Sequence, residues 1–326
     1  MNGRLPKEGL HPRNRFREGY DFEALVACSP ALAAFVGPNA HGNTSIDYAD
    51  PEAVKALNQA LLGHAYQLRD WDIQAGALCP PIPGRSEHLH HLADLLGSGT
   101  DGAGVPRGPT TAVLDIGTGA SCIYPLIGAR EYGWRFVGSE VDAAACRWAT
   151  DLVTAHPEVS GLIRIRQQPA AAQCFEGVVE TGERFALSIC NPPFYASADE
   201  AAEGNRRKRR NLSGKGSASS SKASRRERRD SDREGAPAER NFGGRAGELW
   251  CPGGELGFVQ RMITQSAERP ALCGWFTSLV SKGAHLPRLT RALQAVEVAE
   301  VRVLEMAHGQ KQSRILAWTF EARRRG

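Results

Sequence analysis

Short apolar segments alternate with amphipathic segments between residues 111 and 320, and this alternation is the feature that most restricts the fold. Strands that alternate with helices form a mostly parallel sheet with helices on both faces. We therefore predict an α/β domain with a mostly parallel seven-stranded sheet, whose last two strands form an antiparallel hairpin at one edge. The predicted strands are 111–116, 135–140, 162–166, 185–190, 273–281, 298–307 and 314–320.

The first 105 residues have a different pattern, which predicts a small helical module. Asp50 followed by Pro51 is a typical helix start, because proline fits the first helical position. A stretch rich in glycine and proline at 97–110 is typical of a linker. We divide the chain into a helical module at 1–105 and the α/β domain at 106–326. The predicted helices of the module are 21–36, 50–66 and 88–96.

A basic segment at 197–247 interrupts the α/β pattern. Within it, residues 205–245 hold 14 Lys and Arg against 5 Asp and Glu, a net charge of +9. Because the total charge is +4, the rest of the chain has a net charge of −5. Its low apolar content predicts a disordered insertion, and its charge suits the phosphates of a nucleic acid. The arginine run also fits the pattern of a nuclear import signal. The candidate RNA contacts in it are Arg206, Arg207, Lys208, Arg209 and Arg210.

Composition argues against membrane and metal functions. The chain has no apolar run of the roughly 18 residues that cross a bilayer. Its eight cysteines are scattered without a CxxC pair, which indicates reduced thiols. Successive histidines at 88, 90 and 91 are two and one residues apart, spacings that do not face each other on a helix, so we expect no metal at His88, His90 and His91. We expect a monomer that is nuclear if the source is eukaryotic and cytoplasmic otherwise.

The first strand of the α/β domain ends at a glycine turn that predicts a cofactor site. Ligands of open parallel sheets bind beyond the carboxyl ends of strands, where Gly117 and Gly119 permit close approach of the backbone. Glu140 ends the next strand, 23 residues after Gly117, where a carboxylate accepts ribose hydroxyls. The third glycine of the dinucleotide fingerprint is absent, which favours an adenosine ligand without phosphates, such as S-adenosylmethionine. Asp115 and Ser121 complete this candidate site.

The turn Asn191-Pro192-Pro193-Phe194 directly follows the fourth strand and predicts the catalytic site. The amine of a heteroaromatic ring is a poor nucleophile, because its lone pair is delocalised. The Asn191 side-chain oxygen and the Pro192 carbonyl can accept its two N–H groups and aim the lone pair at a methyl donor. The prolines stiffen the backbone, and Phe194 offers a ring on which a base can stack. Catalysis by such a site is mostly positioning.

These segments together resemble the family of RNA adenine N6-methyltransferases that contains methyltransferase-like protein sixteen and the bacterial enzyme acting on large-subunit ribosomal RNA. The resemblance implies a Rossmann-like methyltransferase domain that uses S-adenosylmethionine, preceded by a helical RNA-binding module. The matching stretches are LHPRNRF at 10–16, DPEAVKALNQALL at 50–62, VLDIGTGASCIYPLIGA at 113–129, GSEVDAAA at 138–145, CNPPFYA at 190–196, GGELGFVQRMI at 253–263 and LAWTF at 316–320.

The resemblance also implies roles for single residues. Gly117, Ser121, Glu140, Asn191 and Arg85 match cofactor contacts of the family. A threonine that the family uses after the third strand falls in the run 170–172, so Ala172 is a candidate through its backbone alone. The expected RNA contacts outside the basic segment, which the resemblance places near the catalytic face, are His11, Arg13, Asn14, Arg15 and Lys282.

The sequence therefore predicts methyl transfer from S-adenosylmethionine to N6 of an unpaired adenosine in a structured RNA. A spliceosomal small nuclear RNA is expected for a eukaryotic source and large-subunit ribosomal RNA for a bacterial one. Three alternatives remain open: methylation of a protein glutamine, whose amide resembles the adenine edge, methylation of DNA adenine, and a non-catalytic RNA-binding protein.

Overall fold

The computed structural model describes residues 9–74, 77–98, 104–204, 206, 249–308 and 311–322. The elements of the amino-terminal part are α1 (Phe22–Cys28), a 3₁₀ helix (Pro30–Phe35), β1 (Val36–Pro38), β2 (Thr44–Ile46), α2 (Pro51–Tyr66) and α3 (Ile82–Gly97). The elements that follow are β3 (Ala112–Ile116), α4 (Ile123–Tyr132), β4 (Arg135–Glu140), α5 (Ala143–Thr154), α6 (Pro157–Ser160), β5 (Ile163–Gln167), β6 (Phe185–Cys190), α7 (Gly254–Glu268), β7 (Cys273–Val280), a 3₁₀ helix (Gly283–His285), α8 (Leu286–Ala295), β8 (Glu300–His308) and β9 (Lys311–Thr319).

The main sheet has seven strands in the order β5-β4-β3-β6-β7-β9-β8. The first five are parallel to one another, whereas β9 runs antiparallel to both β7 and β8. This confirms the predicted Rossmann-like α/β fold and its antiparallel edge. Every residue of the central strand β3 is buried, as expected for a parallel strand covered on both faces.

The amino-terminal part differs from the predicted helices in two places. The predicted helix 21–36 ends at Cys28, because Pro30 lacks an N–H group and disfavours the helical conformation of the residue before it. In contrast, α3 begins at Ile82, six residues before its predicted start. Pro83 is compatible with that helix because it lies in the first turn, where its missing N–H needs no partner.

One apolar core joins the amino-terminal helices to the sheet. Leu61 of α2 and Leu89 of α3 belong to the same buried cluster as Val113 of β3 and Leu126 of α4. Helix α3 packs along α4 and also contacts the edge strand β8. The division at residue 105 into two domains stays a prediction. None of the helices in the described part of the chain combines the length and hydropathy that a membrane span requires.

Most of the basic segment predicted at 197–247 lies outside the described residues. The structure shows a short helical segment at 198–204 and places Arg206 as an exposed helical residue. The candidate RNA contacts that lie outside the described residues are Arg207, Lys208, Arg209 and Arg210.

Candidate active site

A pocket of about 920 Å³, counting its opening to solvent, lies at the carboxyl ends of β3, β4 and β6. Parallel strands bring these ends to one edge of the sheet, so residues that are far apart in sequence meet there. The predicted site residues that line the pocket are Arg85, Gly117, Gly119, Ser121, Glu140, Asn191, Pro192 and Pro193.

The turn between β3 and α4 requires glycine for its backbone conformation. Gly117 has φ +72° and Gly119 has φ +67°, values in the left-handed region that other residues rarely adopt. A Cβ atom on Gly117 would meet no atom within 4 Å, so steric space does not explain this glycine. Cys122, the N-cap of α4, also has a left-handed conformation, with φ +49°. The turn therefore presents backbone rather than side chains to the pocket.

Glu140 ends β4 and is only 7% exposed. Its carboxylate accepts hydrogen bonds from the backbone N–H groups of Gly119, at 3.0 Å, and Asp142, at 2.9 Å. These bonds hold the carboxylate against the glycine turn and fix its orientation at the strand end. The structure thus places an oriented acceptor at the position where the sequence predicts contact with ribose hydroxyls.

Two charged residues at this end of the sheet have buried atoms without a hydrogen-bond partner: Arg85, which lines the pocket, and Asp115, which is not among the lining residues. Asp115 is 1% exposed, and neither of its carboxylate oxygens has a hydrogen-bond partner among the described residues. Burial raises the pKa of Asp115 to about 7, and the negative charge of Glu140 adds to the shift, whereas Thr118 and the Arg85 charge oppose it. The Nε of Arg85 is likewise buried without a partner. Unpaired buried polar groups are rare in proteins, so these two residues mark this end of the sheet as a candidate ligand site.

Arg85 lies in the first turn of α3 and reaches the pocket beside α4. Its terminal nitrogen donates to the Tyr124 hydroxyl at 2.8 Å, and its guanidinium lies 5.2 Å from the centre of the Tyr124 ring. Both contacts restrain the guanidinium, which otherwise has many rotamers. Tyr124 also lines the pocket, although the sequence did not single it out.

The catalytic turn follows β6 and leaves one acceptor unpaired. The Oδ1 atom of Asn191 is buried and has no hydrogen-bond partner among the described residues. A buried amide oxygen in this state lacks the donor that such groups normally have. Asn191 therefore presents an acceptor to the pocket, as the sequence predicts.

Phe194 follows the pocket residues Pro192 and Pro193, and its stacking on a base stays a prediction. It is half-buried and lies outside the residues that line the pocket, whereas Phe258 of α7 lines the pocket together with Asn191. The only signal for Phe258 in the sequence is weak, namely its place in the stretch GGELGF. Phe258 lines the pocket only because of the way α7 packs against the sheet after the basic segment.

The segment that leads into α7 and the first residue of α7 hold the chain in place just after the catalytic turn. The Tyr195 N–H donates to the Leu249 carbonyl, and the Cys251 N–H donates to the Tyr195 carbonyl, both at 3.1 Å. Gly254 has φ +57°, and a Cβ on it would lie 3.2 Å from backbone atoms of Tyr195 and Ala196. Only glycine allows α7 to begin so close to the turn.

The loop after β5 forms part of the pocket wall beside Ala172, whose contact with the cofactor stays a prediction. Ala171 and Gln173 line the pocket, but Ala172 does not. The Ala172 carbonyl instead accepts from Gln265 Nε2 at 2.8 Å, and Gln265 Oε1 accepts from the Cys174 N–H at 2.7 Å. Gln265 of α7 thus clamps the loop that forms one wall of the pocket.

The predicted RNA contacts His11 and Asn14 have internal partners. The His11 backbone N–H and the Asn14 side chain both donate to the Glu87 carboxylate, at 2.9 Å and 2.8 Å. His11 also pairs with Asp94 at 2.7 Å, and Asn14 is only 3% exposed. These residues attach the amino-terminal segment to α3. Contact of either residue with RNA stays a prediction.

Arg13 and Arg15 lie farther from the pocket than expected. Arg13 donates to the Tyr132 hydroxyl at 3.2 Å, and Arg15 pairs with Glu131 at 2.8 Å, so both reach the last turn of α4. The pocket residue Tyr124 lies in the first turn of that helix, about 12 Å away along its axis. The contact of these arginines with RNA near the catalytic face therefore stays a prediction.

Lys282 lies on the same side of the sheet as the pocket, just after β7. Its ammonium is 3.7 Å from the Glu200 carboxylate, and about half of its side chain is exposed (51%). The buried Glu255 carboxylate holds this loop, because it accepts from the Ser281 N–H and from His285 Nδ1, each at 2.8 Å. A phosphate could therefore replace Glu200 as the partner of Lys282.

The described residues contain no group of three or more His, Cys, Asp or Glu side chains arranged to hold a metal ion. His88 and His90, which the sequence places on one helix, are instead buried with tyrosine partners.

Comparison with known proteins identifies the family. A family model described as RNA methyltransferase matches residues 4–322. The "Ribosomal RNA large subunit methyltransferase F" of Serratia proteamaculans (strain 568) is 49% identical over 314 residues, which cover 96% of this chain and 88% of that protein. The protein of the same name from Yersinia pestis (strain Pestoides F) is also 49% identical, over 97% of this chain and 89% of its own length.

Solved structures agree with the sequence relatives. The hMettl16 catalytic domain in complex with the MAT2A 3'UTR hairpin 1 has a TM-score of 0.75 and 31% identity, and 96% of each chain is covered. The N-terminal domain of human METTL16 in complex with SAH has a TM-score of 0.71 and 28% identity, over 96% of this chain and 99% of that one. The strand ends, the glycine turn and the Asn-Pro-Pro turn therefore lie in a chain that belongs to the RNA methyltransferase family.

Proposed function

We propose that this chain transfers a methyl group from S-adenosylmethionine to N6 of an adenosine in large-subunit ribosomal RNA. The observation that carries the proposal is the buried, unpaired Oδ1 of Asn191, which shares one pocket with Gly117 and Glu140. The bacterial relatives, named for the large ribosomal subunit, favour ribosomal over small nuclear RNA as the substrate. They likewise favour the cytoplasm over a nucleus as the place of action.

Arg85 and the Asp115 carboxylate carry opposite charges, which fit the amino-acid end of S-adenosylmethionine. Asp115 offers two unpaired oxygens to an ammonium group, and Arg85 offers an unpaired Nε–H to a carboxylate. Glu140 stands one strand away and accepts the ribose hydroxyls, as carboxylates at this position do. When bound, the cofactor supplies a methyl group on a positively charged sulfur.

The catalytic turn orients the adenine amine. Asn191 Oδ1 and the Pro192 carbonyl accept the two N–H groups, and neither proline offers a competing donor. Asn191 does not titrate, so it accepts hydrogen bonds and leaves the departing proton to solvent. The chain therefore accelerates transfer mainly by holding the nitrogen in line with the methyl group.

The target adenine must leave its stack to reach Asn191, and this costs least in a loop or bulge. Lys282 stands nearby to meet a phosphate of the flanking strand, since its ammonium is exposed beside Glu200. The basic segment supplies further positive charge for the RNA backbone. Affinity for RNA is then expected to fall steeply as salt rises.

A methyl-transfer assay tests the proposal. Labelled S-adenosylmethionine is incubated with unmodified large-subunit ribosomal RNA, and the modified nucleosides are identified after digestion. We expect N6-methyladenosine, and we expect Asn191→Ala to lower the rate about 1,000-fold or more, the loss typical of a transition-state donor or acceptor. Asn43→Ala, at an exposed position near β2, is the matched control and should keep full activity.

The alternatives give different results in the same assay. Equal rates for Asn191→Ala and the unchanged protein would refute the role of Asn191, and a different methylated nucleoside would refute the assigned atom. Transfer to a protein glutamine or to DNA in place of RNA would support those substrates instead. A non-catalytic RNA-binding protein would not bind S-adenosylhomocysteine in calorimetry.

A further inference from the structure

A hydrogen-bonded chain of three side chains leads from the pocket wall into the core behind Arg85. The Arg85 guanidinium lies 2.8 Å from the Tyr124 hydroxyl, and that hydroxyl lies 2.9 Å from Nδ1 of His88. Tyr124 is 5% exposed and His88 is 1% exposed, so water does not compete for these bonds. Arg85 and His88 are three residues apart on α3, a spacing that places both on the face toward Tyr124.

The chemistry of the three groups fixes the direction of both bonds. A guanidinium can only donate, so the Tyr124 oxygen is the acceptor toward Arg85 and its own proton is left for His88. Nδ1 of His88 must then be the acceptor, with the ring proton on Nε2. The opposite tautomer would leave the Tyr124 proton without an acceptor. Burial keeps His88 neutral, since it lowers the pKa of the imidazole to about 3, with the charges of Arg85 and His91 as smaller causes.

This arrangement leaves Nε2 of His88 buried without a partner among the described residues. An unpaired buried donor is unfavourable, so packing alone does not explain a histidine at this position. The acceptor that it provides to Tyr124 does explain it. Without that acceptor, the Tyr124 O–H bond would be free to turn toward Arg85, where its hydrogen would meet the donor hydrogen of the guanidinium.

We propose that His88 is a positioning residue for the cofactor site, which turns the Tyr124 oxygen toward Arg85 and thereby holds the guanidinium where it meets the cofactor carboxylate. The inference rests on the proposed function, because it takes the ligand of Arg85 to be the amino-acid end of S-adenosylmethionine. It adds a residue that does not itself line the pocket.

Calorimetry with two ligands tests the inference. S-adenosylhomocysteine has the amino-acid end, whereas methylthioadenosine has the same nucleoside and lacks it. We expect Tyr124→Phe and His88→Leu each to raise the Kd of S-adenosylhomocysteine about tenfold, the effect of one hydrogen bond to a charged group. Both variants should bind methylthioadenosine within about twofold of the unchanged protein, because the lost contact concerns the carboxylate alone.

Two further variants separate positioning from general stability. His88→Asn returns an acceptor near the place of Nδ1 and should restore the Kd of S-adenosylhomocysteine to within about threefold. His90→Leu is the matched control, because His90 on the same helix is equally buried and pairs with Tyr132 at the far end of α4. It should leave both affinities unchanged.

The outcomes distinguish this inference from the proposed function. Unchanged binding of S-adenosylhomocysteine by His88→Leu would overturn the positioning role, as would an equal loss for both ligands. If unfolding curves show that His88→Leu does not fold, His88→Gln replaces it, because its amide lies near the place of Nε2 rather than Nδ1; it should raise the Kd of S-adenosylhomocysteine about tenfold, and binding equal to that of the unchanged protein would overturn the positioning role. Failure of the unchanged protein to bind S-adenosylhomocysteine would instead contradict the proposed function itself.

Discussion

Replacing Asp115 by asparagine should stabilise the ligand-free protein and at the same time weaken cofactor binding. The carboxylate is 1% exposed, and its two oxygens have no hydrogen-bond partner among the described residues. Burial is the main cause that raises its pKa from the ordinary 3.8 to about 7. The protein therefore carries an unfavourable charge at a position where the proposed ligand has its ammonium group.

The size of the effect follows from the pKa difference. A shift from 3.8 to about 7 corresponds to ~4 kcal/mol of stability lost to the ionised carboxylate. Because the folded-state pKa is the higher one, this loss is absent below pH 3.8, grows as pH rises toward 7, and is complete above that. The Asp115→Asn variant should thus gain up to about 4 kcal/mol at pH 8, and about 1–2 kcal/mol at pH 5.

Urea unfolding at pH 5 and pH 8, without ligand, measures both values. Asp151→Asn, at an exposed position of α5, is the matched control and should change stability by less than about 0.5 kcal/mol. S-adenosylhomocysteine should raise the unfolding midpoint of the unchanged protein but hardly that of Asp115→Asn. A variant that is less stable at pH 8, or whose gain does not depend on pH, would refute the reasoning.

Three other substitutions probe the walls of the site. Gln265→Glu removes the donor to the Ala172 carbonyl, so the KM for S-adenosylmethionine should rise about tenfold in steady-state assays, with a smaller change in kcat; equal changes in both would contradict the clamp. Gly254→Ala places a Cβ 3.2 Å from the Ala196 backbone and should cost about 1–3 kcal/mol in unfolding experiments; unchanged stability would show that the turn adapts. Lys282→Ala should weaken RNA binding and lower its salt dependence by about one ion, measured by titration at several salt concentrations; an unchanged salt slope would remove Lys282 from the interface.

The parts of the site whose position depends only on neighbouring residues in the chain could be predicted from the sequence. Gly117 and Gly119 follow an apolar strand, and Asn191 follows another, so each had to lie at a strand end. Parallel strands bring these ends together, which places Asn191 and Glu140 in one pocket without any knowledge of side-chain packing. The same local periodicity predicted all seven strands of the main sheet.

Contacts between distant parts of the chain could not be predicted in this way. Phe258 lines the pocket, and Gln265 hydrogen-bonds the loop that forms one of its walls, only because α7 packs beside the loop after β5. Gln265 and its partner Cys174 are 91 residues apart in sequence. The basic residues near the amino terminus show the same limit, since the sequence did not predict that Arg13 donates to Asp94 and Tyr132.

The sequence by itself thus determined the order of the seven strands of the main sheet, the two turns that contribute to the pocket, and the family. Only the tertiary structure decided which polar groups find partners. The Asp115 carboxylate and Asn191 Oδ1 remain unpaired near the strand ends, while the Asn14 side chain donates to Glu87. The physical reason is that apolar periodicity is a local property of the chain, whereas the pairing of a buried polar group depends on every element that packs around it.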